Sequence, residues 1–218
     1  MNYQRAFSLI ELLVSIGIIA MISAVVFFNF PQFNESVALN RAARELTLTL
    51  REAQSRAIAV TPLPNGEFPN NYGVFIKGTP TAEGDGQFLI FSDGDNNDLK
   101  YDTAADPSDV LIKTVTFTRG VQITGFNLDG ATPTGGVNFI YYRPGPQVIV
   151  SDETGACVSG VEGSGNGQNP LCAAALSPYA STLGSYGPFN IAISRPASSP
   201  PGGSRTVEIW RTGQISIK

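Results

Sequence analysis

The sequence predicts an α+β protein in which one long N-terminal helix, with a membrane half and an amphipathic half, packs on an antiparallel β-sheet. Three observations support this class. An apolar run opens the chain, a stripe of helical period follows it, and from residue 72 onward short β-branched runs alternate with clusters of turn residues. Helix and sheet are therefore segregated along the chain, as an α+β fold requires.

The first element is the apolar run from Phe7 to Phe28. As a helix it is about 33 Å long, which matches the hydrocarbon core of a membrane. A cleaved secretory signal fits poorly, because the run is too long and no A-x-A site follows it before Pro31. A plain anchor leaves Glu11 unexplained, since a carboxylate in an apolar helix costs up to about 2.5–3.5 kcal/mol at mid-membrane. Glu11 is therefore a functional candidate that needs a cationic partner.

The second element continues the helix beyond Pro31, where we expect a kink or local melting. Its apolar residues recur with spacings of four and three and form one stripe: Leu39, Ala43, Leu46, Leu50, Ala53, Ala57 and Val60. A coiled coil is the alternative, but the stripe is short and strand-like sequence follows at once. We therefore expect it to pack on the chain's own sheet and to end at Thr61-Pro62.

The remaining elements are short strands between turn clusters. The predicted strands are 72–77, 87–92, 110–118, 121–126, 137–142, 147–150, 189–194, 206–210 and 214–218. The last two alternate around Arg211-Thr212-Gly213, which is typical of a hairpin.

Composition excludes several functions. The chain has no histidine, which removes Ser-His-Asp and Cys-His catalysis and histidine zinc sites. No nucleophile–base pair stands out, so we do not expect an enzyme or a bound cofactor. The formal net charge of −4 makes general nucleic-acid binding unlikely on electrostatic grounds.

The segment "AFSLIELLVSI" resembles the processing site of type IV prepilins and type II secretion pseudopilins. The resemblance implies cleavage between Ala6 and Phe7, N-methylation of Phe7, and Glu11 as the fifth residue of the mature chain. Glycine usually precedes the cut in this family, whereas this chain has Ala6. The long helix and the terminal "TG-x-I-x-I" strand are similar to the H-type pseudopilin and minor pilin subgroup.

This resemblance implies an organisation and a role. Residues 1–6 are the leader, 7–30 the transmembrane and filament-core helix, 31–61 its amphipathic continuation, and 62–218 a β-rich head. The implied role is that of a structural subunit of a type IV pilus or a type II secretion pseudopilus. Its partners are a prepilin peptidase, the bacterial cytoplasmic membrane, which it crosses once with the head outside, and other pilins in the filament. The alternative is a minor pilin that captures DNA or a surface ligand.

An acidic stretch, "FSDGDNNDLKYD", raises the possibility of calcium. Asp93, Asp95 and Asn97 alternate like the opening of a calcium loop, and residues 83–109 hold eight acids against one lysine. However, Ala104 stands where a closing glutamate belongs, twelve residues along with Asp93 counted as the first. A solvated acidic turn is therefore the favoured interpretation, with calcium as the alternative.

Two further sets of residues lie in the C-terminal half. Cys157 and Cys172 are an even pair that suits a disulfide outside the cytoplasm, worth roughly 3 kcal/mol in the chain-entropy model. Four cations face only Glu208 and are the candidate DNA contacts of the alternative function: Arg195, Arg205, Arg211 and Lys218. Ordinary solvation of strands and loops is the favoured interpretation of these cations.

Overall fold

The computed structural model describes most of the chain between Ser8 and Lys218. The described residues are 8–63 (side chains of 29–32 excepted), 66–69, 71–78, 86–93, 99–101, 109–127, 135–142, 148–153, 155, 188–195, 203–210 and 212–218. They form the helix α1 (Leu9–Ile58) and the strands β1 (Asn71–Ile76), β2 (Gln87–Asp93), β3 (Val110–Thr116), β4 (Gln122–Asn127), β5 (Val137–Tyr142), β6 (Val148–Asp152), β7 (Phe189–Ser194), β8 (Arg205–Ile209) and β9 (Ile215–Ile217). The predicted α+β class is confirmed.

The predicted elements agree closely with these bounds. Every predicted strand is present, and no strand end differs from its predicted position by more than two residues. The helix ends at Ile58, three residues before its predicted end, and Val60 follows with a positive φ of 50°. The backbone is helical through position 31, so Pro31 does not melt the helix.

The strands form two antiparallel sheets, where the sequence had suggested one. The first sheet has the order β3-β2-β1-β5-β6, and the second has the order β4-β7-β8-β9. The chain first passes from one sheet to the other between β3 and β4, where Arg119 and Gly120 have φ values of 62° and 67°. Two consecutive left-handed residues turn the chain sharply enough for β4 to leave the sheet that β3 borders.

The chain divides into two compact units, Met1–Val37 and Ala38–Lys218. The second unit holds the hydrophobic core, in which the apolar stripe of α1 meets the inward faces of both sheets. All stripe residues within the helix are buried: Leu39, Ala43, Leu46, Leu50, Ala53 and Ala57. Val60 is 39% exposed because it lies past the end of the helix. The stripe therefore packs on the chain's own sheets, as predicted.

The first sheet is covered on its other face as well. Phe91 and Ile140 pack there with Leu99, and the rings of Phe91 and Tyr101 lie 5.3 Å apart between centroids. Gly73 permits this packing, since a Cβ at that position would lie 2.5 Å from the ring of Phe91. The segment that contains Leu99 and Tyr101 thus covers the outer face of the first sheet, as α1 covers the inner face.

Candidate functional site

The N-terminal segment of α1 begins with a turn that contains Glu11. The backbone carbonyl of Ser8 accepts hydrogen bonds from the amides of Glu11 (3.0 Å) and Leu12 (3.2 Å). The Ser15 hydroxyl donates to the Glu11 carbonyl oxygen at 2.7 Å. A carboxylate in the first turn is favourable to the helix, since the N-terminal end of the helix dipole is positive. Ala6 and Phe7 lie outside the described residues.

The surface of this segment is apolar on every side. Ile10, Ile16 and Ile22, for example, are 67%, 58% and 61% exposed, although they lie on three different faces of the helix. None of its most apolar 18-residue window is buried within the chain. Within the described part of the chain, α1 is the one helix long and apolar enough to cross a membrane. An all-round apolar helix needs a partner outside its own chain, either lipid or other helices.

An apolar N-terminal helix suited to anchoring in a membrane, followed by a β-rich head, is an α+β arrangement consistent with a pilin-like fold. Residues 1–27 match the family model of the prokaryotic N-terminal methylation motif. This motif is the signature of type IV pilin-like and pseudopilin proteins, so the resemblance seen in the sequence is confirmed and points to a structural protein. No curated protein and no solved structure matches the chain significantly.

The acidic stretch is only partly described. Asp93 is fully buried at the end of β2, where the Asn71 side-chain amide donates to its Oδ2 at 3.5 Å. Asp95 and Asn97 lie outside the described residues. Among the residues that are described, no group of three or more His, Cys, Asp or Glu is placed to hold a metal ion. The calcium site therefore stays a prediction.

The end of this stretch is not a solvated turn. Leu99 is buried, and its carbonyl oxygen accepts a hydrogen bond from the hydroxyl of Ser151. The amide of Tyr101 donates to Asn138 Oδ1 at 3.1 Å. The expectation of a fully solvated turn was wrong at Leu99 and Tyr101, because these two apolar side chains cover the outer face of the first sheet.

Two of the four C-terminal cations have partners within the head. Lys218 Nζ lies 2.7 Å from Glu208 Oε1, and Arg205 Nε donates to Asn40 Oδ1 at 2.8 Å. Arg195 is exposed, whereas Arg211 lies outside the described residues. The contact of Lys218 joins β9 to β8, and the contact of Arg205 joins β8 to α1. Ordinary solvation of the four cations, and DNA contacts as the alternative, stay predictions. Cys157 and Cys172 also lie outside the described residues, so their disulfide stays a prediction.

Two carboxylates in the head have lowered pKa values. The hydrogen bond from Lys218 is the largest cause of the lowered pKa of Glu208, and the hydrogen bond from Ser216 and the charge of Lys218 lower it further. Burial raises the pKa, but the net result is a pKa below 4.5. Burial alone would raise the pKa of Glu52, but hydrogen bonds and charges from Lys113 and Arg56 together lower it below 4.5. Both carboxylates are therefore ionised and paired near neutral pH.

The sequence did not reveal how α1 binds the edge strands of both sheets. Lys113 of β3 reaches Glu52 at 3.0 Å. On the other side, Arg51 and Gln54 donate to the carbonyl oxygens of Ile215 (3.5 Å) and Gly213 (3.2 Å). One signal was present: Arg44, Leu48 and Arg51 share a helix face outside the buried stripe, with spacings of four and three.

Proposed function

We propose that this protein is a structural subunit of a type IV pilus or a type II secretion pseudopilus. The observation that carries the proposal is the methylation motif on a helix whose most apolar, membrane-length segment is left exposed by its own chain. Such a helix is suited first to a membrane and then to a bundle of like helices. The subunit crosses the cytoplasmic membrane once, carries its head outside, and enters the filament through this helix.

Processing prepares the helix for assembly. A prepilin peptidase removes residues 1–6, and the new N-terminus is the methylated amine of Phe7. Glu11 then pairs with the Phe7 ammonium of a neighbouring subunit. In the apolar surroundings of the bundle this attraction is much stronger than in water. The pair also fixes the axial register, since apolar helices alone slide past each other at little cost.

The subgroup is also part of the proposal. The long helix and the terminal hairpin of β8 and β9 support an H-type pseudopilin or minor pilin. The hairpin turn is closed by the amide of Gly213, which has a φ of 82° and donates to the Trp210 carbonyl oxygen at 2.8 Å.

Co-expression of the full chain with a prepilin peptidase tests this function. Intact mass should show loss of residues 1–6 and a methylated Phe7 in assembled material. Ala6→Gly, which restores the residue usual before the cut, should be processed at least as fast as the natural chain. Ala6→Ile is the matched control, because its branched side chain should block cleavage. A leader retained in assembled material would overturn the proposal.

A further inference from the structure

A groove of about 380 Å³ lies between α1 and β9 in the head. Arg44, Leu48 and Arg51 line it from the helix, and Ile215 and Ile217 line it from the strand. Leu48 is 64% exposed and Ile217 is 39% exposed. Two partly exposed apolar side chains thus share the groove with two arginines, and none of the described residues that line it is acidic.

The floor of this groove is the open edge of a sheet. Strand β9 pairs only with β8 among the described strands. Thr206 and Lys218 exchange both of their backbone hydrogen bonds, at 3.0 and 2.8 Å. Because such pairs alternate in an antiparallel ladder, the N–H and C=O of Ile215 and Ile217 point away from β8. The Ile215 carbonyl oxygen accepts a hydrogen bond from Arg51. The N–H and C=O of Ile217 are then the backbone groups of β9 that a strand in the groove could pair with.

An open edge beside apolar side chains is the arrangement to which extended segments add as an extra strand. The backbone of such a segment would pair with Ile217, and an apolar side chain would cover Leu48. Arg44 and Arg51 would select carboxylates on either side, since neither guanidinium forms an ion pair with any described residue.

We propose that this groove is the docking surface for a second copy of this chain, which contributes an extended, carboxylate-bearing segment. The inference rests on the proposed function as a filament subunit. Copies in a helical filament meet through two different, complementary surfaces. The groove supplies a positive surface on a chain whose net charge is −4 and whose residues 83–109 carry eight acids against one lysine. Charge complementarity thus favours a second copy as the occupant.

Photo-crosslinking in the full-length chain tests the groove. The chain carries benzoylphenylalanine at position 48, is co-expressed with a prepilin peptidase, and is irradiated in membranes and in assembled material. We expect an adduct of twice the chain mass. Arg44→Glu combined with Arg51→Glu should lower its yield roughly tenfold, because charge repulsion replaces attraction. High salt should also lower the yield.

Two control variants distinguish an effect of the groove arginines from an effect of the net charge of the chain. Arg119→Glu combined with Arg195→Glu changes the net charge equally at exposed sites elsewhere and should leave the yield unchanged. Arg44→Lys combined with Arg51→Lys keeps the charges and should retain most of the adduct. Urea unfolding of each variant checks that the head is folded.

Three results would overturn the inference while leaving the proposed function intact. The first is processed and assembled chain without the doubled-mass adduct. The second is an adduct with a different protein, and the third is an adduct that both glutamate substitutions leave undiminished. A chain that keeps its leader and never assembles refutes the proposed function, and the docking surface is refuted with it.

Discussion

The two halves of α1 are one continuous helix with opposite relations to the rest of the chain. Ile19, in the first half, is 63% exposed, whereas Leu46 and Leu50 in the second half are fully buried. The first half is apolar on all sides, and the second is apolar on one stripe. The difference shows that hydrophobic content alone does not place a helix in a core. An apolar stripe with a polar opposite face does, whereas an apolar cylinder needs partners that the chain does not contain.

The largest effect is expected from a substitution of Glu11, the one charged residue in the exposed half of α1, on incorporation into the filament. Glu11→Ala should leave membrane insertion and leader cleavage intact but lower incorporation into the filament by roughly a hundredfold or more. In the proposed filament, loss of the carboxylate would leave the Phe7 ammonium of a neighbouring subunit unpaired in apolar surroundings, which costs about 3–5 kcal/mol. Blots of membrane and sheared-filament fractions measure the ratio.

Glu11→Asp is the matched control for that measurement, since it keeps the charge on a shorter side chain and should retain part of the incorporation. Poorer insertion cannot explain a loss in Glu11→Ala, because alanine makes the helix more apolar. Equal incorporation of Glu11→Ala and the natural chain would show that the carboxylate is incidental.

Two leucines only two residues apart, and therefore on opposite faces of the helix, sharpen the comparison within the buried half. Leu46→Ala should lower the free energy of unfolding by about 2–5 kcal/mol, because it leaves a cavity in the core. Leu48→Ala should change that free energy by less than about 0.5 kcal/mol, because Leu48 is 64% exposed. Urea unfolding of the chain without its first 30 residues can be followed by the fluorescence of its single tryptophan, Trp210. Similar losses for both leucines would contradict the assigned helix face.

A larger side chain should also have different effects in the two halves of α1, with a smaller change in the free energy of unfolding. Ala43 is fully buried, so Ala43→Leu should destabilise the head by about 1–3 kcal/mol through overpacking. Ala24 is exposed in the first half, so Ala24→Leu should leave unfolding of the head unchanged. Both variants are compared as full-length chain in detergent, and a loss of head stability in Ala24→Leu would break the comparison.

The smallest effect concerns the pH dependence of the head. The pKa of Glu208 is lowered below 4.5 in the folded state, chiefly by Lys218. The stabilisation that ionised Glu208 gives the folded head is therefore complete above the pKa of this carboxyl in the unfolded chain. It is lost as pH falls through the lower pKa of Glu208 in the folded state. Glu208→Gln should flatten the decline of stability in acid below about pH 4.5. Parallel pH curves for the variant and the natural chain would show that the pairing with Lys218 contributes nothing.

Much of the fold and part of the site followed from local sequence. Strand positions were predictable because side chains alternate between faces with a period of two, and the buried stripe because it recurs with the helical period. Glu11 was identifiable because a carboxylate is costly in an apolar run. The Arg205–Asn40 contact was not predictable, since it joins residues 165 positions apart.

The sequence by itself determined the membrane segment, the methylation motif, the bounds of the strands and the face of α1 that enters the core. These features depend on residues close together along the chain. Tertiary structure decided that β1 pairs with β5, that β4 pairs with β7, and that two sheets form. It also placed Leu99 over Phe91, and it put β9, an edge strand of the second sheet among the described strands, beside Arg44 and Leu48. Alternation fixes which side chains face inward but not which strand lies alongside, because that choice depends on packing between residues distant in sequence.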